Sequence, residues 1–205
     1  KFFFMERICY GENMNNNNNV FNEVIETCNN FVQANPNPDK VEIVGELMVD
    51  INPYLSKIKV TSDNIPFGRY LIHMDKNELF NIQAHVFSKN YTGSIHRHET
   101  WGMLTGIQGL ISVRDWVQGE NSWDLIRYSL ISPGTASCFC PPTPDWHATD
   151  TSKSNSQAIS IHIYGKDWNM EKGIYANPDE TPDTYIASRG PLQDNSQLLP
   201  YLTLS

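Results

Sequence analysis

Three observations predict a mostly β domain with a short helical lead-in. From about Val60 to Gly165, short runs rich in Ile, Val, Leu, Phe and Tyr are separated by Gly, Pro, Asn and Asp, the punctuation of strands and turns. Before that, Val20, Phe21, Val24, Ile25, Cys28, Phe31 and Val32 recur at three-to-four spacing, the stripe of one helix. Strands do not alternate with long helical patterns, so a sandwich or barrel is expected and a parallel βαβ sheet is not.

The elements follow in order. The opening "KFFFMERICYGEN" is apolar at first but is broken by Glu6 and Arg7, too early for a secretory segment, and is expected to be a soluble start. The Asn run in "NMNNNNNVF" competes for backbone hydrogen bonds and is expected to be a mobile lead-in. The helix after it ends before "NPNPD", and a second short helix is expected over Val41 to Leu47 with Asp39 as its cap. "RYLIHM", "FNIQAHVFS", "GMLTGIQGLISVRDW", "WDLIRYSLI", "ASCFCPP" and "SQAISIHIYG" then supply the strands. The expected division is residues 1–58 as a helical lead-in, 59–168 as the barrel, and 169–205 as a loop-rich tail wrapped around it.

A length of 205 residues suits one well-buried domain. The net charge of -8 offers no basic excess to attract nucleic acid or an anionic membrane, so neither is expected as a partner and small molecules are. No apolar run is long enough to span a bilayer. Four cysteines, Cys9, Cys28, Cys138 and Cys140, are too few and too scattered for a disulfide scaffold, which fits a reducing, cytoplasmic setting. Cys138 and Cys140 alternate with Phe139 and are expected to pack as small apolar residues.

The chemistry concentrates in two stretches. In "SIHRHETWG", His96 and His98 are two positions apart, so on a strand both imidazoles project from one face while Arg97 and Glu99 face away. Alone, such a pair is weak evidence for a metal site and reads first as two partly exposed polar residues. His147 in "PPTPDWHATD" follows a Pro-rich bend able to bring a later strand beside the first, and three neutral imidazoles on one side leave coordination positions open, as catalytic sites require. Imidazole does not itself choose among iron, zinc, copper and nickel. In "SIHIY", Ser160, His162 and Tyr164 share one strand face and Ile161 and Ile163 the other, which describes either an inward polar ladder or an edge strand facing solvent.

From about Phe67 to Trp168, roughly half of the chain, the sequence resembles the cupin-type thiol dioxygenases, the family of cysteine dioxygenase and 3-mercaptopropionate dioxygenase. The resemblance implies a cupin fold, a double-stranded β-helix barrel, and a mononuclear Fe(II) cofactor held by His96, His98 and His147. Many other cupins add a glutamate four or five positions after the second histidine; Gly102 and Met103 stand there, which favours the three-histidine class. The family's Ser-x-His-x-Tyr motif matches Ser160, His162 and Tyr164, with Tyr164 as proton donor beside the metal, His162 orienting it and Ser160 fixing the imidazole. In animal cysteine dioxygenases that tyrosine is linked to a cysteine at the position of Met103, so the crosslink is not expected.

By the same resemblance the expected reaction joins a small thiol carboxylate and O2 to give the sulfinate, with Arg69, Trp101 and Tyr164 around the substrate. Arg69 stands where cysteine dioxygenases carry a carboxylate-binding arginine, and a planar guanidinium suits a carboxylate. Trp101-Gly102 looks more like the mercaptopropionate branch, so the two positions point to different thiols. Two other readings stay open: a three-histidine cupin dioxygenase for another chelating organic acid, and a non-catalytic cupin that binds a metal or ligand.

Overall fold

Two helices open the part of the chain that the structure, a computed structural model, describes: residues 20–120, 122–141, 146–166, 169, 171–176 and 184–205. Cys9, the Asn run, much of the Pro-rich bend before His147, and Trp168 lie outside these residues. The helix α1 (Asn22–Ala34) buries Val24, Cys28 and Val32, one residue per turn, as the spacing predicts. The second, α2 (Val41–Leu55), runs two turns beyond the expected Leu47, because Ile51 and Leu55 continue the buried stripe of Val44 and Leu47 past Pro53. Asp39 does not cap it: the N-cap position is Lys40, with no side-chain cap bond.

Fourteen strands follow among the described residues: β1 (Ile58–Val60), β2 (Gly68–Met74), β3 (Phe80–Phe87), β4 (His96–Arg97), β5 (Gly102–Gln108), β6 (Ile111–Gln118), β7 (Trp123–Ile131), β8 (Ala136–Phe139), β9 (His147–Asp150), β10 (Ala158–Gly165), β11 (Lys172–Ala176), β12 (Thr184–Ser188), β13 (Leu192–Gln193) and β14 (Leu202–Leu204). One sheet has the order β13-β2-β3-β10-β5-β8 and the other β12-β11-β4-β9-β6-β7, with β1 and β14 forming a separate pair. Within the stretch β3 to β10 the chain crosses between sheets at every step except the β6–β7 hairpin. That winding gives the four-strand cores β3-β10-β5-β8 and β4-β9-β6-β7, the double-stranded β-helix expected of a cupin barrel.

The tail is not made of loops as expected. β11 and β12 extend the second sheet from β4, β13 pairs in parallel with β2, and β14 pairs with β1. These strands are short, β12 and β14 are mostly exposed, and none shows the buried alternation that marks a strand in sequence; pairing with neighbouring strands supplies their hydrogen bonds.

Strand β10 divides the interior. Ile159, Ile161 and Ile163 face the helices and join a core with Val24, Leu47 and Ile51. Ser160, His162 and Tyr164 face the space between the sheets, which is therefore apolar at one end, around Phe87, Leu104 and Ile111, and polar at the other. Cys28 and Cys140 are buried and Cys138 is half-buried, the last two against the α2 side, consistent with packing roles. No helix among the described residues is long and apolar enough to cross a membrane.

Candidate metal centre

His96 and His147 are directly opposed in the antiparallel pairing of β4 with β9, so their side chains leave the sheet together. His98 lies just past the end of β4 on the same side. The three ring centroids form a nearly equilateral triangle with sides of 4.9, 4.7 and 4.8 Å. All the ligand atoms fall within 4.8 Å of one another. Nε2 of His98 and Nε2 of His147 are 3.1 Å apart, less than two metal–imidazole bonds of about 2.0–2.1 Å placed end to end, so a single ion can reach both lone pairs.

The surroundings keep His96 and His98 in the ligand form. Burial, then the neighbouring His147, holds His96 down to about 3, with the bond to Ser94 opposing. The same two causes hold His98 well below the ordinary histidine range. Nδ1 of His96 lies 2.9 Å from the Ser94 carbonyl, which only accepts; Nδ1 therefore carries the proton and Nε2 keeps its lone pair for the cluster.

Glu99 is excluded from the centre, though not by simple alternation. β4 ends at Arg97, and Glu99 takes a left-handed backbone, φ 62°, that swings its carboxylate outward to Arg97 at 3.0 Å. Among the described residues no side chain joins the three histidines as a fourth ligand. Gly102 pairs with Tyr164 on one side and Phe139 on the other, and a Cβ there would collide with the Phe139 ring and come within 3.0 Å of Tyr164 Cδ1. Phe139 uses that space to stack on His98, centroids 5.0 Å apart at 18°. Met103 is buried on the helix side of β5, away from Tyr164.

The second constellation forms as the inward reading requires. Ser160 Oγ is 2.8 Å from His162 Nε2, and Tyr164 Oη is 2.8 Å from His162 Nδ1, all three buried. Burial, then His147, holds His162 at about 3, so the ring is neutral, with one nitrogen donating and the other accepting. Burial also pushes the Tyr164 phenol well up, against the pull of Arg189 and Arg69, so it retains its proton. Its ring lies 4.8 Å from that of His98. His85 lies 3.3 Å from Gln83 Oε1, stacks on His162 at 3.8 Å, and also lines the cavity.

These groups surround a cavity of about 330 Å3 lined by the three histidines, His162, Tyr164 and Arg69, among others. Trp101 is not brought there. One residue before the inward Gly102, it faces the helices, edge-on to Phe31 of α1 at 5.4 Å and packed over Gly165, where a Cβ would strike the indole. The cavity contains residues the sequence did not single out: Tyr91, Tyr175 and Arg189. Tyr175 is opposite His96 in the pairing of β11 with β4, and Arg189 directly follows β12, so both entered with tail strands that sequence reasoning had taken for loops.

No family model matches the sequence. Solved structures with a similar chain path include the cupin_2 domain of an XRE-family transcriptional regulator from Enterobacter cloacae, at 11% identity over 48% of this chain and 94% of that one, TM-score 0.38. A cupin 2 domain-containing protein from Halorhodospira halophila matches at 16% identity over 57% and 70%, TM-score 0.39. A sugar phosphate isomerase from a cupin superfamily, from Silicibacter pomeroyi, matches at 12% over 66% and 91%, TM-score 0.39. It is the strand order and the three-histidine cluster of this chain, rather than these distant likenesses, that define a cupin barrel with a candidate metal centre.

Proposed function

We propose that this chain is a non-haem iron thiol dioxygenase that joins a small thiol carboxylate to O2, with His96, His98 and His147 holding Fe(II). The reading rests on one juxtaposition: an open triangle of imidazoles beside a buried Ser160–His162–Tyr164 chain whose phenol keeps its proton. The reaction balances without a co-reactant: R–SH and O2 give R–SO2⁻ and H⁺, sulfur losing the four electrons that dioxygen gains.

Bound ferrous iron would supply the one-electron chemistry dioxygen needs and would favour the thiolate over the thiol. Everything else is the protein's. With the His162 proton on Nδ1, Ser160 donates to Nε2, Nδ1 donates to Tyr164 Oη, and the phenol, which lines the cavity, would offer its own proton to charge developing on oxygen there. Arg69 offers a guanidinium to the substrate carboxylate from the opposite sheet. The aromatic walls, Phe139 beside His98 and Tyr175 beside His96, keep water away from the rings.

The test is to load the protein with Fe(II) without oxygen, admit air, and follow oxygen uptake and sulfinate by mass spectrometry with cysteine, cysteamine, 3-mercaptopropionate and homocysteine. Sulfinate formed in step with oxygen supports the reading. Stoichiometric Fe(II) binding with no thiol oxidised would overturn it.

A further inference from the structure

We propose that the cavity takes a thiol that carries an aromatic ring on a chain, with the sulfur at the imidazole end and the ring held by Phe67, Tyr91 and Phe87 at the other. Only in taking the reacting group to be a thiol does this rest on the function proposed above; the aromatic subsite stands on the cavity alone.

The cavity is long. It reaches from Tyr164 to Phe87, which the pairing of β10 with β3 sets far apart: Tyr164 is opposite Asn81, near the start of β3, and Phe87 closes that strand. The rings between them form one wall, with centroids 4.8 Å apart from His98 to Tyr164, 6.4 Å from Tyr164 to His85 and 6.0 Å from His85 to Phe87. A volume of about 330 Å3 falls among sites that enclose drug-sized ligands, roughly 300–1,000 Å3, so a molecule the size of cysteine fills one end and leaves the other open. A ring attached beside the sulfur would stay at the imidazole end, whereas one on a chain of several carbons reaches the far end.

That far end is aromatic. Tyr91 lies between the other two rings, its centroid 5.2 Å from that of Phe87 and 5.6 Å from that of Phe67. Phe87 and Tyr91 pack in the apolar cluster with Leu104 and Ile111, so the core accounts for them. Phe67 is different: it is 55% exposed, joins none of the buried clusters, and among the described residues is the one exposed large apolar side chain on the cavity wall. Its neighbours hold it there. Tyr70 Oη donates to the Pro66 carbonyl at 2.6 Å, and Gly68 is packed so closely that a Cβ would lie 2.7 Å from the Gln193 side chain. Tyr91 is fixed by Thr151, whose Oγ1 accepts from the Tyr91 N–H at 2.9 Å and whose N–H donates to the Tyr91 carbonyl at 2.9 Å. A ring entering beside faces already fixed in this way sheds water without having to order them. It also gains tilted and edge contacts that a saturated ring of similar size does not.

Binding and turnover test the two parts separately. By calorimetry on the intact chain, 5-phenylpentanoate should bind about tenfold or more tightly than pentanoate, since the ring buries its surface against the three side chains. It should also bind severalfold more tightly than 5-cyclohexylpentanoate, which forgoes the aromatic contacts. Phe67→Ala should lower both preferences severalfold and Phe67→Tyr should keep them; because Phe67 lies outside the buried clusters, thermal melts of both variants should match the parent. With Fe(II) loaded, 2-mercapto-5-phenylpentanoate should exceed 2-mercaptopentanoate by about tenfold in kcat/KM, by the same burial. 2-Mercapto-2-phenylacetate, with its ring beside the sulfur, should show no such gain. Equal binding of 5-phenylpentanoate and pentanoate, equal binding of the phenyl and cyclohexyl acids, or preferences unchanged by Phe67→Ala overturn the inference. An aromatic preference with no thiol oxidised leaves it standing and removes the thiol chemistry; thiols oxidised without that preference do the reverse.

Discussion

Nε2 of His98 and Nε2 of His147 face each other at 3.1 Å although 49 positions separate them in the chain. Two imidazole lone pairs at that distance repel unless a proton or a metal ion lies between them. His147→Ala should therefore weaken Fe(II) binding by more than about 100-fold, the upper end of what losing a merely supporting partner costs. It should also abolish the rise in melting temperature that added Fe(II) gives the parent protein. Metal content after dialysis and paired melts measure both, and full metal retention would remove His147 from the centre.

Tyr164→Phe removes one hydroxyl from a chain of side chains that touches the imidazole cluster without belonging to it. Metal content should be unchanged while kcat falls by about 10²–10⁴, the usual weight of a positioned proton donor. Ser160→Ala should act more weakly on turnover and destabilise by about 1–3 kcal/mol, because it strands the buried Nε2 of His162. Steady-state kinetics and urea melts separate the two effects.

Gly102→Ala should destabilise by about 1–3 kcal/mol through overpacking, since the new methyl meets the Phe139 ring. Adding Phe139→Ala to it should recover part of that loss, so that the two changes are less than additive. Additive losses would mean that the contact between the two positions does not set the packing there.

Trp101→Ala should behave as a core truncation, destabilising by about 3–5 kcal/mol, because the indole packs on Phe31 and over Gly165. At a temperature where the variant is folded, KM for any thiol should be close to that of the parent. A large KM effect alone would place Trp101 back at the substrate.

Burial pushes the Cys28 thiol up to about 12, well above the ordinary thiol. The folded state therefore keeps a proton that the unfolded chain gives up, and this contribution is fully present below about pH 8.5. From there to pH 12 it should be lost at roughly 1.4 kcal/mol per pH unit. Cys28→Ala should flatten the alkaline limb of the stability–pH curve relative to the parent. Native protein at pH 8 should also leave Cys28 unlabelled by iodoacetamide.

The barrel strands were legible because each keeps one apolar face: Ile159, Ile161 and Ile163 alternate against a buried helix layer, and their positions can be counted off the sequence. The same alternation placed Ser160, His162 and Tyr164 together. His96 and His147 required the pairing of β4 with β9, which no local pattern states, so their meeting was an expectation carried by resemblance. Arg189 and Tyr175 were missed because β12 is exposed along nearly all its length and β11 buries only Gly173 and Ala176, three positions apart, so neither strand leaves a period-two trace. Trp101 was misplaced by one step of alternation: its neighbour Gly102 faces inward, so the indole cannot.

The bond from Arg69 to the Gly190 carbonyl closes a loop of 121 positions, far longer than the 49 between His98 and His147. Contacts of such sequence separation form late, because the chain must first be ordered on both sides of them. During synthesis the imidazole triangle can close once β9 has emerged, whereas the cavity wall that includes Arg189 and Gly190 must wait for the tail. A newborn chain would then pass through an interval in which the three histidines have met but the cavity beside them still lacks one wall.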